Sequence, residues 1–255
     1  MIRNYLKIAW RSLVKNLGYS AINIAGLAIG MAVALLIGLW IYDETSFDRY
    51  HKNHSRVGQV LTTQTFSDKT ETGPSIVVPL GNAFRTRYAG IFKQAALCSW
   101  NAPHILSAGD RKISQRGMWA EAGLPSILGL NLHGDQEALS DPLSIVLSQS
   151  VARALFGDES PFGKTVRVDN KTEMSVAAVY EDLPDNTTLN ETKFLIPWSN
   201  AANKLNVQTD QWQNHGCQLF VELKDNVDFG TASTNVQHLM KPYVTEWKEE
   251  LLVHP

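Results

Sequence analysis

Between Lys15 and Asp43 the chain contains no charged residue. That gap decides most of what the molecule can be. As a helix, residues 21–42 (AINIAGLAIGMAVALLIGLWIY) would be about 33 Å long, and a hydrocarbon core is about 30 Å thick. Ten of these residues are Leu, Ile or Val. At about −0.5 kcal/mol each near a membrane centre, they outweigh Asn23 and the glycines. A buried helix of a soluble protein is the bland alternative. A cleaved signal peptide competes better, because Ala32-Val33-Ala34 has the small-residue form of a cleavage site. The apolar run continues past that site, however, and signal peptides have shorter apolar cores. The sequence predicts a transmembrane helix over 18–42.

The flanks orient it. Arg3, Lys7, Arg11 and Lys15 precede the span, whereas Asp43, Glu44 and Asp48 follow it. Positive charge stays on the cytoplasmic side, so the N-terminus is expected in the cytoplasm and residues 43–255 outside. The four basic residues recur every fourth position and would form one stripe of a helix. Ile2, Leu6, Ala9, Trp10, Leu13, Val14 and Leu17 fall on the opposite face. Residues 1–17 therefore read as a basic amphipathic helix lying in a membrane interface; an unstructured positive flank is the simpler alternative. Within the span, Gly26, Gly30, Ala34 and Gly38 also recur every four residues. Such a strip of small residues lets another membrane helix approach closely. Its partner would be further membrane spans or a second copy.

Residues 43–255 hold no second apolar run of 18 residues and read as an α+β body of one or two lobes. The N-terminal 42 residues have a net charge of +4 and the remainder −6. A basic head on an acidic body argues against nucleic-acid binding by the body. Strands are expected at 57–66, 94–100, 143–147 and 217–223. Leu80, Phe84, Tyr88 and Ile91 mark a helix face, and 124–130 a short helix. Ser148 is placed to cap a helix QSVARALF that Gly157 ends. KTVRVD and EMSVAAVYED pair as strands across Asp169-Asn170-Lys171. Phe229, Ala232, Val236, Leu239, Met240, Tyr243 and Trp247 suggest one long amphipathic helix. Cys98 and Cys217 leave two options, a disulfide or two buried thiols.

FGDESPFGKTV (156–166) looks at first like a phosphate-binding loop. Such a loop has four residues between its glycines, and five separate Gly157 from Gly163. It should also lead from a strand into a helix, and here the order is reversed. The stretch reads as a helix-to-strand connection in which Pro161 and Gly163 shape a turn.

That connection also brings a family into view. LSIVLSQSVARALFGDESPFGKTVRVDN followed by SVAAVYEDLPDNTTL resembles the extracytoplasmic core of MacB/FtsX-type ABC transporter permeases. A strand, a helix ending in Phe-Gly, a Pro-x-Gly-Lys turn and a V-x-x-D-x-P-x-N segment follow in that order. Residues 4–53 are similar to the family's interfacial helix and first span, and ILGLNLHGDQEAL to the piece between. The resemblance implies an inner-membrane, non-catalytic permease subunit without its own cofactor. A cytoplasmic ABC ATPase subunit would drive it, and spans and outer domain would transmit the motion for efflux, lipoprotein release or envelope remodelling. A periplasmic adaptor or an outer-membrane protein is a further implied partner. Residues 43–48 would begin the stalk. Members have four spans or more, so the single span here implies an N-terminal piece.

Other chemistry is thinly supported. His51 and His54 suit a solvated stalk better than a metal site. Glu181, Asp182 and Asp185 lack the regular oxygen spacing of a calcium loop. Asn186-Thr187-Thr188 and Asn190-Glu191-Thr192 have glycosylation spacing. Trp100, Trp119, Trp198 and Trp212 read as core residues before they read as a ligand groove. The rival readings are a single-span, membrane-anchored periplasmic binding or adaptor protein, and a membrane-anchored enzyme.

Overall fold

The computed structural model describes residues 2–50, 53–67, 69–204, 210–245 and 247–255. The chain divides into two compact units, Met1–Phe47 and Asp48–Pro255.

The first unit is two helices, α1 (Ile2–Lys15) and α2 (Leu17–Ser46). They are separated at Asn16, whose φ of −120° and ψ of 56° leave the helical range. A short amide side chain competes for backbone hydrogen bonds, so asparagine suits such a break. No proline interrupts α2, which runs for 30 residues, about 45 Å at 1.5 Å per residue. It extends past the expected end at 42, through Asp43-Glu44-Thr45-Ser46. The Thr45 hydroxyl donates to the Ile41 carbonyl at 2.8 Å and the Ser46 hydroxyl to that of Asp43 at 3.0 Å. The Ser46 hydroxyl thereby occupies one of the last four carbonyls, which a helix end leaves without intrahelical partners. None of its residues is buried. A helix apolar on all sides is built for apolar surroundings rather than water.

The second unit is strand-rich. Its elements are β1 (Val57–Phe66), β2 (Lys69–Gly73), β3 (Ile76–Val77), α3 (Pro79–Arg87), β4 (Phe92–Cys98), β5 (Ala102–Ala108), β6 (Arg111–Ala120), α4 (Leu124–Ile127) and β7 (Leu132–Gly134). Then come β8 (Ser144–Ser148), α5 (Gln149–Phe156), β9 (Thr165–Val168), β10 (Thr172–Tyr180), β11 (Phe194–Pro197), α6 (Ser199–Lys204), β12 (His215–Leu223), α7 (Phe229–Val236) and β13 (Lys248–His254). Strand β11 pairs antiparallel with β8 and parallel with β6. This closes a ring in the order β6-β11-β8-β10-β9-β5. A wing, β4-β12-β1-β13, joins the ring at β6 through the pair Cys98–Ala120. In the wing, β1 and β13 run antiparallel, from Gln59 opposite His254 to Thr65 opposite Lys248.

Period-two alternation sorts side chains between cores. All six ring strands contribute to the core that the ring encloses, with Leu106, Trp119, Ile145, Leu147, Val166, Val168, Met174, Val176, Phe194 and Ile196, and α5 adds Val151 and Leu155. Their neighbours Val146 and Leu195 point to the other face. In β10 a bulge between Val176 and Ala178 shifts the register by one, so Val179 returns to the enclosed core while Ala178 and Tyr180 leave it. The wing has its own core under α3 and α7. A third core unites Ala96, Cys98 and Phe220 of the wing, Leu124, Ile127 and Leu128 around α4, and Val146, Tyr180 and Leu195 of the ring. Ring and wing are two lobes bound into one body by shared buried surface.

One expectation needs correction. The helix from Phe229 stops at Val236 and gives way to turns, such as Leu239 N–H to Val236 C=O and Val244 N–H to Met240 C=O. Pro242 supplies no N–H to continue a helix, and a residue before proline disfavours helical geometry. Leu239, Met240 and Val244 still face the wing core, so burial is served without a helix. The structure also decides between the two options open for the cysteines. Cys98 lies opposite Gln218, and Cys217, one residue away, points to the other face of the sheet. Both thiols are free and buried. Burial pushes both up, Cys217 to about 12, which leaves little reactive thiolate.

Candidate functional site

Asp48, the first residue of the second unit, is two positions beyond the last residue of α2. Its φ is +57°, a left-handed conformation that aspartate tolerates better than most residues. The backbone turns sharply here and aims the carboxylate at the loop between β10 and β11. Oδ1 accepts from the Thr187 hydroxyl at 2.6 Å and the Thr188 amide at 2.8 Å, and Oδ2 from the Thr188 hydroxyl at 2.6 Å. The Asp48 amide donates to the Asn186 carbonyl at 2.9 Å. Hydroxyl bonds to an ionised carboxylate are short and about twice as strong as neutral ones.

The loop that receives Asp48 is itself fastened. At its start, Asp182 accepts from the Ser150 amide at 2.8 Å and hydroxyl at 2.6 Å, and from Lys193 Nζ at 3.1 Å. Partial burial pulls the Asp182 carboxyl up, but the bonds from Ser150 and Lys193 outweigh it and hold the group below its ordinary range. At its end, the Tyr180 hydroxyl donates to the Thr192 carbonyl at 2.7 Å. Leu183 and Leu189 are buried between these points. Inside the loop, Asn190 Nδ2 donates to the Asp185 carbonyl at 2.8 Å.

The expected site residues fall in several places. Arg3, Lys7, Arg11 and Lys15 all belong to the continuous helix α1, where spacing of four keeps them on one side. Gly26, Gly30 and Gly38 have nothing within 4 Å of where a Cβ would stand, and Ala34 is exposed. In the 156–166 loop, Gly157 ends α5 with φ of +67° and Ser148 caps its start by accepting from the Val151 amide. Lys164 lies against the Glu159 carboxylate and 5.2 Å from the Phe156 ring centre, so its ammonium is engaged within its own loop. Trp119 is in the enclosed core. Trp212 stacks on Tyr243 at 3.6 Å, and Trp100 is half-exposed. Trp198 touches both the wing core and the ring core and borders a cleft of about 580 Å³, with Arg85, Lys93 and Glu121. His51 lies outside the described residues, and His54 is exposed.

A polar cluster without a sequence signature ties three wing strands together. Buried Glu249 accepts from His215 Nε2 at 2.9 Å, Trp247 Nε1 at 2.8 Å and Gln64 Nε2 at 3.2 Å. Burial raises its pKa, but the bonds from His215 and Trp247 prevail and leave it lowered.

A profile of the MacB-like periplasmic core domain family matches residues 20–239. The chain is 24% identical, over 137 residues, to a protein of Neisseria gonorrhoeae named Macrolide export ATP-binding/permease protein MacB. That alignment covers 54% of this chain and 19% of the relative, so the match spans about a fifth of the relative's length. Among solved structures, the fold is similar to a domain assigned to a permease protein of Porphyromonas gingivalis, with a TM-score of 0.69 and 18% identity, covering 80% of this chain and 91% of that one. It is also similar to the periplasmic region of MacB from Actinobacillus actinomycetemcomitans, with a TM-score of 0.59 and 18% identity, covering 78% and 88%. Identity this low speaks for the fold alone, but the profile extends from the apolar helix to the turns after α7. The chain therefore belongs to the MacB-like periplasmic core domain family, the extracytoplasmic module of MacB/FtsX-type ABC transporter permeases.

Proposed function

We propose that the chain is a mechanotransmitting permease component. Residues 18–42 cross the inner membrane with the N-terminus in the cytoplasm, and 43–255 form the periplasmic domain. ATP-driven motion of a cytoplasmic ATPase partner moves the spans, and the span passes that motion through 43–48 to the outer domain. The observation that supports this reading above others is an apolar helix with no buried residue leading directly into a domain of this family. Three further observations fit. The basic side chains of α1 are exposed and suit the lipid headgroups of the cytoplasmic face. Tyr19 near one end of α2 and Trp40 and Tyr42 near the other are exposed, where aromatic rings sit at membrane interfaces. The core shared by ring and wing lets the outer domain move as one piece.

The test is purification of the full reading frame from membranes under mild detergent. An ABC ATPase subunit should copurify. Recovery of the chain alone, with no ATPase in any detergent tried, would overturn the proposal in favour of a single-span binding or adaptor protein.

The open strip along Gly26, Gly30, Ala34 and Gly38 is proposed as the face that packs against another membrane helix. Replacing Gly26 and Gly30 by leucine fills the approach and should reduce association with the remaining spans about tenfold or more, since small residues let helix backbones come close. Co-immunoprecipitation from membranes reads the effect, and unchanged association would show that the strip faces lipid.

A further inference from the structure

We infer that the Asp48 carboxylate is the pin that couples α2 to the outer domain, an inference that rests on the permease reading above. Phe47 alone separates the last residue of α2 from Asp48. Side-chain bonds change partner across this interval. Thr45 bonds back to Ile41 and Tyr42, and Ser46 to Asp43, within the helix. Asp48 bonds to Thr187 and Thr188, which lie 139 and 140 positions later.

The conformation at this point argues for a pin rather than a continuous rod. Phe47 has ψ of 136° and Asp48 φ of +57°, so helical geometry ends and the chain bends. A bend held by backbone torsions alone would absorb a displacement of α2. The carboxylate removes that slack, because three donors on Thr187 and Thr188 hold both of its oxygens. Displacement then reaches the 186–188 segment. From there it passes to α5 through Asp182 and Ser150 and to β10 through Tyr180. Both belong to the ring lobe, although the chain after Asp48 continues into β1 of the wing. The pin thus lets one helix act on both lobes, on the ring through side-chain bonds and on the wing through the chain itself.

Hydrogen–deuterium exchange of the permease–ATPase complex in lipid nanodiscs tests the inference without a transported substrate. Uptake is compared without nucleotide and with a non-hydrolysable ATP analogue. In the unaltered complex the analogue should change uptake both in 43–47 and in the 181–192 loop. In Asp48→Ala the change in 43–47 should persist, while that in the loop should fall at least about fivefold, as expected for loss of a coupling between sites. Because Asp48→Ala could loosen the fold, the pair Thr187→Val and Thr188→Val removes the hydroxyl bonds from the other side with similar side-chain volume. It should reproduce the loss, while Thr187→Ser with Thr188→Ser should retain the response. A role confined to local folding would instead raise uptake of the loop equally with and without the analogue. That result, or an unaltered loop response in the valine pair, would overturn the pin. An absent nucleotide response throughout the unaltered complex would overturn the permease reading, and the pin with it.

Discussion

Cutting Phe194 back to alanine should destabilise the strand-rich unit by about 3–5 kcal/mol, the usual cost of emptying a buried phenylalanine site. Phe194 is fully buried and sits on β11, the strand that closes the ring by pairing with both β6 and β8. Its ring lies flat against Gly117, where a Cβ would stand 2.4–2.5 Å from three ring carbons. The edge of His104 approaches at 5.7 Å between centroids. The reverse change, Gly117→Ala, should cost about 1–3 kcal/mol by overpacking. In the Phe194→Ala background the same glycine substitution should be nearly neutral, because the atoms it strikes are gone. Such non-additivity is the mark of two residues in contact. Thermal unfolding of the purified chain in detergent reads all three, at roughly 2–4 °C per kcal/mol for a domain of this size. Additive effects, or a loss below about 1 kcal/mol for Phe194→Ala, would mean that the ring does not close around this side chain.

Placing arginine at both Ile29 and Leu35 should abolish stable membrane insertion. An arginine near the centre of a span costs about 2.5–3.5 kcal/mol, and each replaced aliphatic forfeits about 0.5 more. Two such changes total about 6–8 kcal/mol, against about 5 kcal/mol supplied by the ten aliphatic residues of the span. Either change alone leaves a near balance and should be tolerated, helped by arginine reaching toward the interface. Alkaline carbonate extraction distinguishes the outcomes: the double variant should move to the soluble or aggregated fraction, and the single variants should stay with the membrane. A double variant that remains fully integrated would show that 18–42 is not what holds the chain in the bilayer.

Local signals were readable where they were complete in themselves. Ser148, QSVARALF and Gly157 contain cap, amphipathic helix and stop within ten residues, and α5 forms within those limits. Strand β1 occupies the expected 57–66. The turn at Asp169-Asn170-Lys171 joins β9 to β10 as its composition suggests, with both Asp169 and Asn170 at positive φ. The helix expected to run to Trp247 failed because apolar spacing of three and four also suits a helix followed by turns over the same core, and Pro242 was the local sign against it. Strand β13 has its own alternation, with Glu249, Leu251 and Val253 buried and Lys248, Leu252 and His254 exposed. Its sequence does not announce a strand because a buried glutamate breaks the apolar pattern, and the bonds from His215, Trp247 and Gln64 account for that burial. The hairpin of β5 and β6 turns on Gly109-Asp110, a pair typical of tight turns, but its flanking residues mix polar and apolar types. Ring closure by β11 and the Asp48 contacts with Thr187 and Thr188 depend on partners far away in sequence, and no spacing within one segment announces them. The residues with the clearest periodicity, the glycine strip and the basic stripe, are exposed in this structure.

The register of β1 against β13 has a mechanical corollary. Gln59 faces His254, so the chain arriving from α2 and the chain leaving toward Pro255 meet at the same end of one antiparallel ladder. Drawing these two points apart would open the ladder like a zipper, one rung at a time beginning at Gln59 and His254. Shifting them together strains no rung at all. The unit is therefore weakest against forces that pull these two strand ends apart.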